Sequence, residues 1–176
     1  MPEERTSQLR ILGIDPGLTN TGYGVIDIVD REYRAVEGGV VRTKSGVPME
    51  ERLFKIYSVI RDVIQEFNPD AVAIEDLHSH ARFVKTAILL GHARGVVVMA
   101  AGEAQLPVFN YQPTRAKNIV TGSGRADKDQ IKQAVAAHLK NPDAAKNEHV
   151  ADAFSIAICH AIMADSPAVE AIEAAR

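Results

Sequence analysis

The chain has 176 residues, 46% of them hydrophobic, enough for one globular domain with a proper core. Its 20 basic and 23 acidic residues leave a net charge of −3. That excludes indiscriminate coating of a polyanion but leaves room for local basic patches. The single cysteine, Cys159, excludes an internal disulfide and fits a reducing compartment. Met1 to Gln8 is polar and charged, with no apolar stretch that would serve as a secretion signal. The longest strongly apolar run, Val96 to Ala101, falls far short of the ~18 residues of a membrane span. These features predict a cytoplasmic protein without membrane association. They also predict a single domain over residues 1–176, with its core at about 10–164 and short polar tails.

Ile11 to Gly17 (ILGIDPG) reads as a short strand buried on both faces, closed by a Pro-Gly turn. Asp15 falls at its end, where an ionised carboxylate is costly unless a cation meets it; bracing of the turn is the plainer role. Thr21 to Val29 and Tyr33 to Thr43 have strand character and are joined at Asp30-Arg31-Glu32. Gly38-Gly39 marks an expected bulge or bend. From Pro48 to Phe67 the spacing of Leu53, Ile56, Tyr57, Ile60 and Ile64 predicts a helix, stopped by Asn68-Pro69. Ala71 to Glu75 (AVAIE) is a second short apolar run ending in an acid. A strand reached through a crossover helix predicts parallel pairing, which makes Asp15 and Glu75 neighbours at one sheet edge.

A polar loop at His78 to Arg82 leads to a long helix from Arg82 to Glu103. Ala87, Gly91 and Gly95 form a row of small residues along it, open to close approach by the sheet or by a copy across a two-fold axis. Leu106 to Tyr111 predicts a fifth strand. Helices follow over Pro113 to Val120 and Asp127 to Leu139, with a flexible loop, Thr121 to Ala126, between them. The last helix starts near Asn147, a good N-cap, and runs to about Ala164. Asp152 is its one formal charge between Glu148 and Asp165, one turn into a segment that is otherwise almost wholly apolar. His149 lies three residues earlier on the same face, as a capping or surface residue or as a companion to the acid.

Three acids, two at strand ends and one on a late helix, form an oxygen-rich set suited to a hard divalent cation. Mg²⁺ or Mn²⁺ is favoured over zinc, and a single imidazole is better tolerated by Mn²⁺. Two such ions, about 4 Å apart, are suited to phosphodiester hydrolysis. The meander, helix, strand, helices and late acidic helix together resemble the α/β, RNase H-like fold. Its sheet is mixed and five-stranded, three antiparallel strands followed by parallel ones, with helices on both faces.

The motifs Ile11-Leu-Gly-Ile-Asp-Pro-Gly17, Thr21-Gly-Tyr-Gly-Val25, Ile74-Glu75, Leu90-Gly-His-Ala-Arg-Gly95, Val150-Ala-Asp-Ala-Phe154 and Ile156-Ala-Ile-Cys-His160 occur in that order. Together they resemble the RuvC family of Holliday junction resolvases, over about Arg10 to Ala164. The resemblance implies a homodimer on four-way junction DNA that nicks two strands of like polarity and leaves 5′-phosphate and 3′-hydroxyl ends. It implies a RuvA–RuvB branch-migration complex as partner, and about two Mg²⁺ or Mn²⁺ ions at each site. By matching position, Asp15, Glu75 and Asp152 are implied metal-binding carboxylates. His149 stands where many members carry a fourth Asp and some a His. Lys117 and Lys128 match basic positions near the scissile phosphate. Arg115, Arg125 and Lys132 extend that segment to a local excess of three positive charges between Thr114 and Lys132, as a DNA-tracking face or a solvated one. Arg82 is a further candidate DNA contact. Many members place a junction-wedging aromatic where this chain has His78, with Phe83 the nearest substitute. Ala87, Gly91 and Gly95 are the expected dimer contacts. A local metal cluster of Glu75, Asp76, His78 and His80 is an alternative.

Two other readings compete. A non-catalytic module of RNase H-like fold that binds branched nucleic acid draws support from His149 and from the missing wedge aromatic. An actin-like phosphotransferase draws on Asp15-Pro16-Gly17, but that fold needs a second repeated domain that 176 residues do not hold.

Overall fold

Strand β1 (Leu9–Asp15) divides the molecule into two cores, because successive side chains point to opposite faces. In the computed structural model, which describes residues 8–77 and 84–164, Ile11 enters one core while Leu12 and Ile14 enter the other. All three are fully buried, each contributing about 1.5–3 kcal/mol of transfer free energy. β1 pairs antiparallel with β2 (Asn20–Val29), which pairs antiparallel with β3 (Glu32–Arg42). On its other side β1 pairs parallel with β4 (Ala71–Glu75), and β4 pairs parallel with β5 (Val108–Tyr111). The order β3-β2-β1-β4-β5 is the mixed RNase H-like sheet expected from the sequence.

Helices α1 (Met49–Phe67) and α2 (Val84–Glu103) cover the Leu12 and Ile14 face. The Ile11 face is covered by α3 (Pro113–Thr121), α4 (Lys128–Leu139) and α5 (Glu148–Ala164), with a short 3₁₀ turn at Pro142–Ala145 that the sequence does not lead one to expect. The β2–β3 hairpin turns on Asp30 and Arg31, both at positive φ, the type I′ signature that matches strand twist. Asp127 caps α4 in a reciprocal capping box with Gln130.

Two local expectations change. The β-bulge is not at Gly38-Gly39: Val25 pairs with Glu37 and Ile26 with Ala35, so Val36 is the extra residue. Gly38 instead makes room for α5, since a Cβ there would lie 2.8 Å from a Val150 methyl and 3.0 Å from the Phe154 ring. The fifth strand begins at Val108 rather than Leu106. Leu106 donates its amide to Ala101 O at 2.9 Å, closing the end of α2, and Pro107 has no N–H for the ladder.

The small-residue row of α2 does not lie on the sheet. Ala93, Val97, Ala100 and Ala101 are the residues of α2 buried in the core, whereas a Cβ on Gly95 would meet nothing within 4 Å and one on Gly91 only Leu77, at 3.8 Å. Val84, Ile88 and Met99 are more than half exposed on this helix. By length and composition α2 is apolar enough to cross a membrane, with 22% of its apolar window buried in the chain; counting unbroken apolar runs overlooks it.

Candidate active site

Asp15 follows Ile14, and Glu75 follows Ile74, in two parallel strands where Ile14 and Ile74 are paired. Side-chain alternation puts Asp15 on the face of Ile11 and Gly13, and Glu75 on the face of Ala73, so both acids turn toward α5. That helix begins where it does because Asn147 caps it. Asn147 Oδ1 accepts from the amides of His149 (3.0 Å) and Val150 (3.3 Å). His149 and Asp152 therefore project from its first turns. The approach needs bare backbone beneath it: a Cβ on Gly13 would lie 2.8 Å from Ala157 Cβ, and one on Gly22, opposite Asp15, would overlap the His149 carbonyl.

The acids are held against their ordinary chemistry. Burial first, then the Asp152 charge, pushes Asp15 up to about 7. Burial, then Asp15 and Asp152, pushes Glu75 up to about 7. Asp152 is also raised, mainly by burial. Three lysines, together with His149 acting on Asp152, oppose these shifts. Lys128 acts on Asp15 and Asp152, Lys117 on Glu75 and Asp152, and Lys132 on Asp152. His149 Nδ1 lies 3.4 Å from Asp15 Oδ2.

Asp15 and Glu75 line one cavity of about 170 Å³ with Pro16, Leu77 and Leu90. Glu75 and Asp152 line an adjoining one of about 20 Å³ with Lys117, Ile131 and Ser155. Glu75 thus stands between the other two acids. A donor set of carboxylates that repel one another, two of them pushed up to about 7, fits a hard divalent cation by charge and by atom type. The side chains are not drawn tightly together: among the described residues no group of three or more His, Cys, Asp or Glu is close enough to hold an ion as it stands.

Of the expected basic face, Lys117, Lys128 and Lys132 address the acids. Arg115 does not: its guanidinium points toward Met163 Sδ, 3.9 Å away near the far end of α5. Arg125 lies in the α3–α4 loop, its amide held by Ser123 Oγ. His78, His80, Arg82 and Phe83 fall outside the described residues. Asp76, named for the alternative local cluster, lines the Asp15–Glu75 cavity, and its Oδ1 accepts from the amide of Leu77 at 2.9 Å.

Two residues with a bearing on the site escape a reading of the sequence. Glu148 forms an ion pair with Lys128 at the mouth of the site. Arg52, only 9% exposed, reaches the loop that follows Asp15. Arg52 continues the buried Ile56–Ile60 row at four-residue spacing; that row was the available signal, obscured by Glu50 and Glu51 beside it.

Residues 11–160 match the family model described as crossover junction endodeoxyribonuclease RuvC. Among curated relatives, the crossover junction endodeoxyribonuclease RuvC of Alkaliphilus oremlandii is 46% identical over 151 residues, covering 86% of this chain and 92% of the relative. That of Desulforamulus reducens is 41% identical over the same length and coverage. Among solved structures, Thermus thermophilus RuvC in complex with Holliday junction substrate superposes with a TM-score of 0.83 at 36% identity, over 89% of this chain and 94% of that one. Sheet order, acid placement and these likenesses agree, and the chain belongs to the RuvC family of crossover junction endodeoxyribonucleases.

Proposed function

We propose that this protein is a structure-selective endonuclease that resolves four-way DNA junctions in recombination and repair, nicking two strands symmetrically to leave 5′-phosphate and 3′-hydroxyl ends. The observation that carries the reading is the meeting of Asp15, Glu75 and Asp152 from β1, β4 and α5, each raised in pKa mainly by burial. Family membership supplies the reaction class.

Asp15, Glu75 and Asp152, with His149 as fourth group, would hold one or two Mg²⁺ or Mn²⁺ ions. Bound there, the ions would supply charge neutralisation at the scissile phosphate and Lewis-acid activation of water. Lys117 and Lys128 orient the phosphate over the acids. Lys132, Arg115 and Arg125 extend a phosphate-tracking surface away from the cut. By position, Arg82 and either His78 or Phe83 contact the junction centre. A second copy packs on the outer face of α2 around Ala87, Gly91 and Gly95, where Val84, Ile88 and Met99 leave an apolar strip. A RuvA–RuvB complex would deliver the junction.

The test is incubation of a labelled synthetic four-way junction, and a linear duplex of the same sequence, with Mg²⁺ or Mn²⁺. Wild type gives paired nicks in the junction alone. Glu75→Gln lowers the nicking rate by more than about 100-fold, beyond the ~10–100-fold of an outer-shell loss, and still retains the junction. Full-rate cutting by Glu75→Gln would remove the proposed site. A second reading, a binder that does not cut, is favoured by one observation: the acids are not gathered tightly enough to grip an ion unaided. Retention without nicks in either metal would select it.

A further inference from the structure

Arg52 is a buried cation without a carboxylate among its described neighbours. It sits in the first turns of α1, close to the positive end of that helix's dipole, and donates its own amide to Pro48 O at 3.1 Å. A cation is disfavoured there twice, by desolvation and by the helix. A methionine or leucine would fill the same space without either cost, so packing does not account for the residue. Only its hydrogen bonds do. The guanidinium Nε donates to Thr43 Oγ1 at 2.8 Å and Nη2 to Thr19 Oγ1 at 3.3 Å.

These bonds lead to one place. With a guanidinium N–H already entering its oxygen, the Thr43 hydroxyl has its own proton free to give, and it gives it to Leu18 O at 2.5 Å. The Thr43 amide donates to Thr19 O at 2.9 Å. On the other side of the loop, Thr21 Oγ1 donates to Gly17 O at 2.6 Å. Three successive carbonyls of the segment directly after Asp15 are thus held, and two of those three bonds come from Thr43. Leu18 is anchored in the core at 7% exposed, so the loop is fixed by its side chain as well as its backbone. Arg52 is not among the charges that act on Asp15, so its influence runs through the loop rather than through its field.

We propose that Arg52 is a positioning residue for Asp15: through Thr43 and Thr19 it locks residues 17–19 and so fixes the direction in which the strand-end carboxylate is presented to Glu75 and Asp152. The two-pronged geometry is specific to arginine, since a lysine has one nitrogen and cannot engage both hydroxyls in the same way. The catalytic part of the inference rests on the nuclease reading above; the structural part does not.

The experiment compares wild type with Arg52→Met, Arg52→Lys and Thr43→Val, each assayed below its own melting temperature. Three quantities are measured: single-turnover nicking of a four-way junction against junction affinity, Mn²⁺ affinity of the DNA-free protein, and hydrogen exchange of the amides of residues 17–21. Arg52→Met is expected to leave junction affinity within about threefold while nicking and Mn²⁺ affinity fall by about 10–100-fold, the range of an outer-shell loss. Exchange at residues 17–21 rises with little change in α5. Arg52→Lys recovers part of each, and Thr43→Val reproduces the loss with the cation retained. If Arg52→Met does not fold, Thr43→Val and Arg52→Lys decide the matter. Unchanged Mn²⁺ affinity and unchanged exchange at residues 17–21 in a folded variant overturn the proposal. A wild type that fails to nick junctions defeats the nuclease reading instead, and leaves metal affinity and exchange to judge Arg52.

Discussion

Asp15 and Glu75 each lie one residue beyond a paired isoleucine, Ile14 and Ile74, in adjacent parallel strands, so two carboxyls share one edge and one face of the sheet. Their common elevation to about 7 has a measurable consequence for folding. Unfolded, an aspartate releases its proton near 3.8. Between that value and about 7, the folded protein keeps protons that the unfolded chain has lost. The stabilisation is therefore complete below the unfolded pKa and disappears as pH rises through the folded one. His160 works in the opposite sense: burial lowers it to about 4, so its contribution is full above its ordinary value and is lost as pH falls. Comparison with Asp15→Asn isolates the acid. Denaturant titration without divalent ions should show that Asp15→Asn gains roughly 2–4 kcal/mol on wild type between about pH 5 and about pH 8, at about 1.4 kcal/mol for each tenfold change in proton affinity. Saturating Mn²⁺ should erase the gain. An equal response of the two proteins to pH would mean that Asp15 is not desolvated as described.

Much of this placement is legible in the sequence, because it follows from rules of period and connection. A buried run ending in Asp, a crossover helix, and a second run ending in Glu can hardly be joined in one sheet without bringing the acids together. Asn147 announces the start of α5, and hence the face on which His149 and Asp152 sit. What cannot be read are relations that depend on side-chain reach across elements. Only its four-residue spacing from Ile56 and Ile60 sets Arg52 apart from Glu50 and Glu51, and its partners Thr43 and Thr19 are hydroxyls of the kind any surface loop carries. Gly38 looks like a bulge because glycine often marks one; the need it meets is clearance for Phe154, set by a helix more than a hundred residues later. The basic segment reads as one face, yet Arg115 turns to the opposite end of α5 from the lysines.

Lys128 is paired with Glu148 although its charge also acts on Asp15 and Asp152. A DNA phosphate arriving at Lys128 must displace that carboxylate or share the lysine with it, so less of the lysine's charge is available to release counterions from the DNA. Glu148→Gln is expected to tighten junction binding several-fold and to steepen the dependence of log affinity on log salt by up to about 0.9. In a Lys128→Met background the same change should do almost nothing. Binding titrations over a salt series measure both, and an equal effect of Glu148→Gln in the two backgrounds would show that the pair does not matter.

The outer face of α2 gives a prediction about assembly. Ile88 is 56% exposed and faces no core, so Ile88→Glu should cost the folded subunit no more than about 0.5 kcal/mol. Against a second copy, a carboxylate in the middle of an apolar strip is expensive. Sedimentation should show the wild type as a dimer and Ile88→Glu as a monomer, and junction cutting should shift from paired to single nicks. A wild type that stays monomeric at all concentrations and on junction DNA would refute the proposed interface.

His149 is the group whose chemistry most distinguishes this site. Its Nδ1 lies 3.4 Å from Asp15 Oδ2, on the same turn of α5 that presents Asp152. An imidazole contributes a nitrogen and no negative charge, whereas a carboxylate would add both charge and a hard oxygen. His149→Asp should therefore strengthen binding of Mg²⁺ relative to Mn²⁺ and raise the ratio of junction-cutting rates in the two metals by about tenfold in favour of Mg²⁺. His149→Ala separates the remaining roles. If the ring is a ligand, Mn²⁺ affinity of the DNA-free protein drops along with the rate. If it carries a proton for the reaction, affinity holds, the rate falls by about 10²–10⁴-fold, and the lower limb of the pH–rate profile moves. A His149→Ala protein that matches wild type in affinity, rate and pH profile would reduce His149 to a residue that merely follows the Asn147 cap.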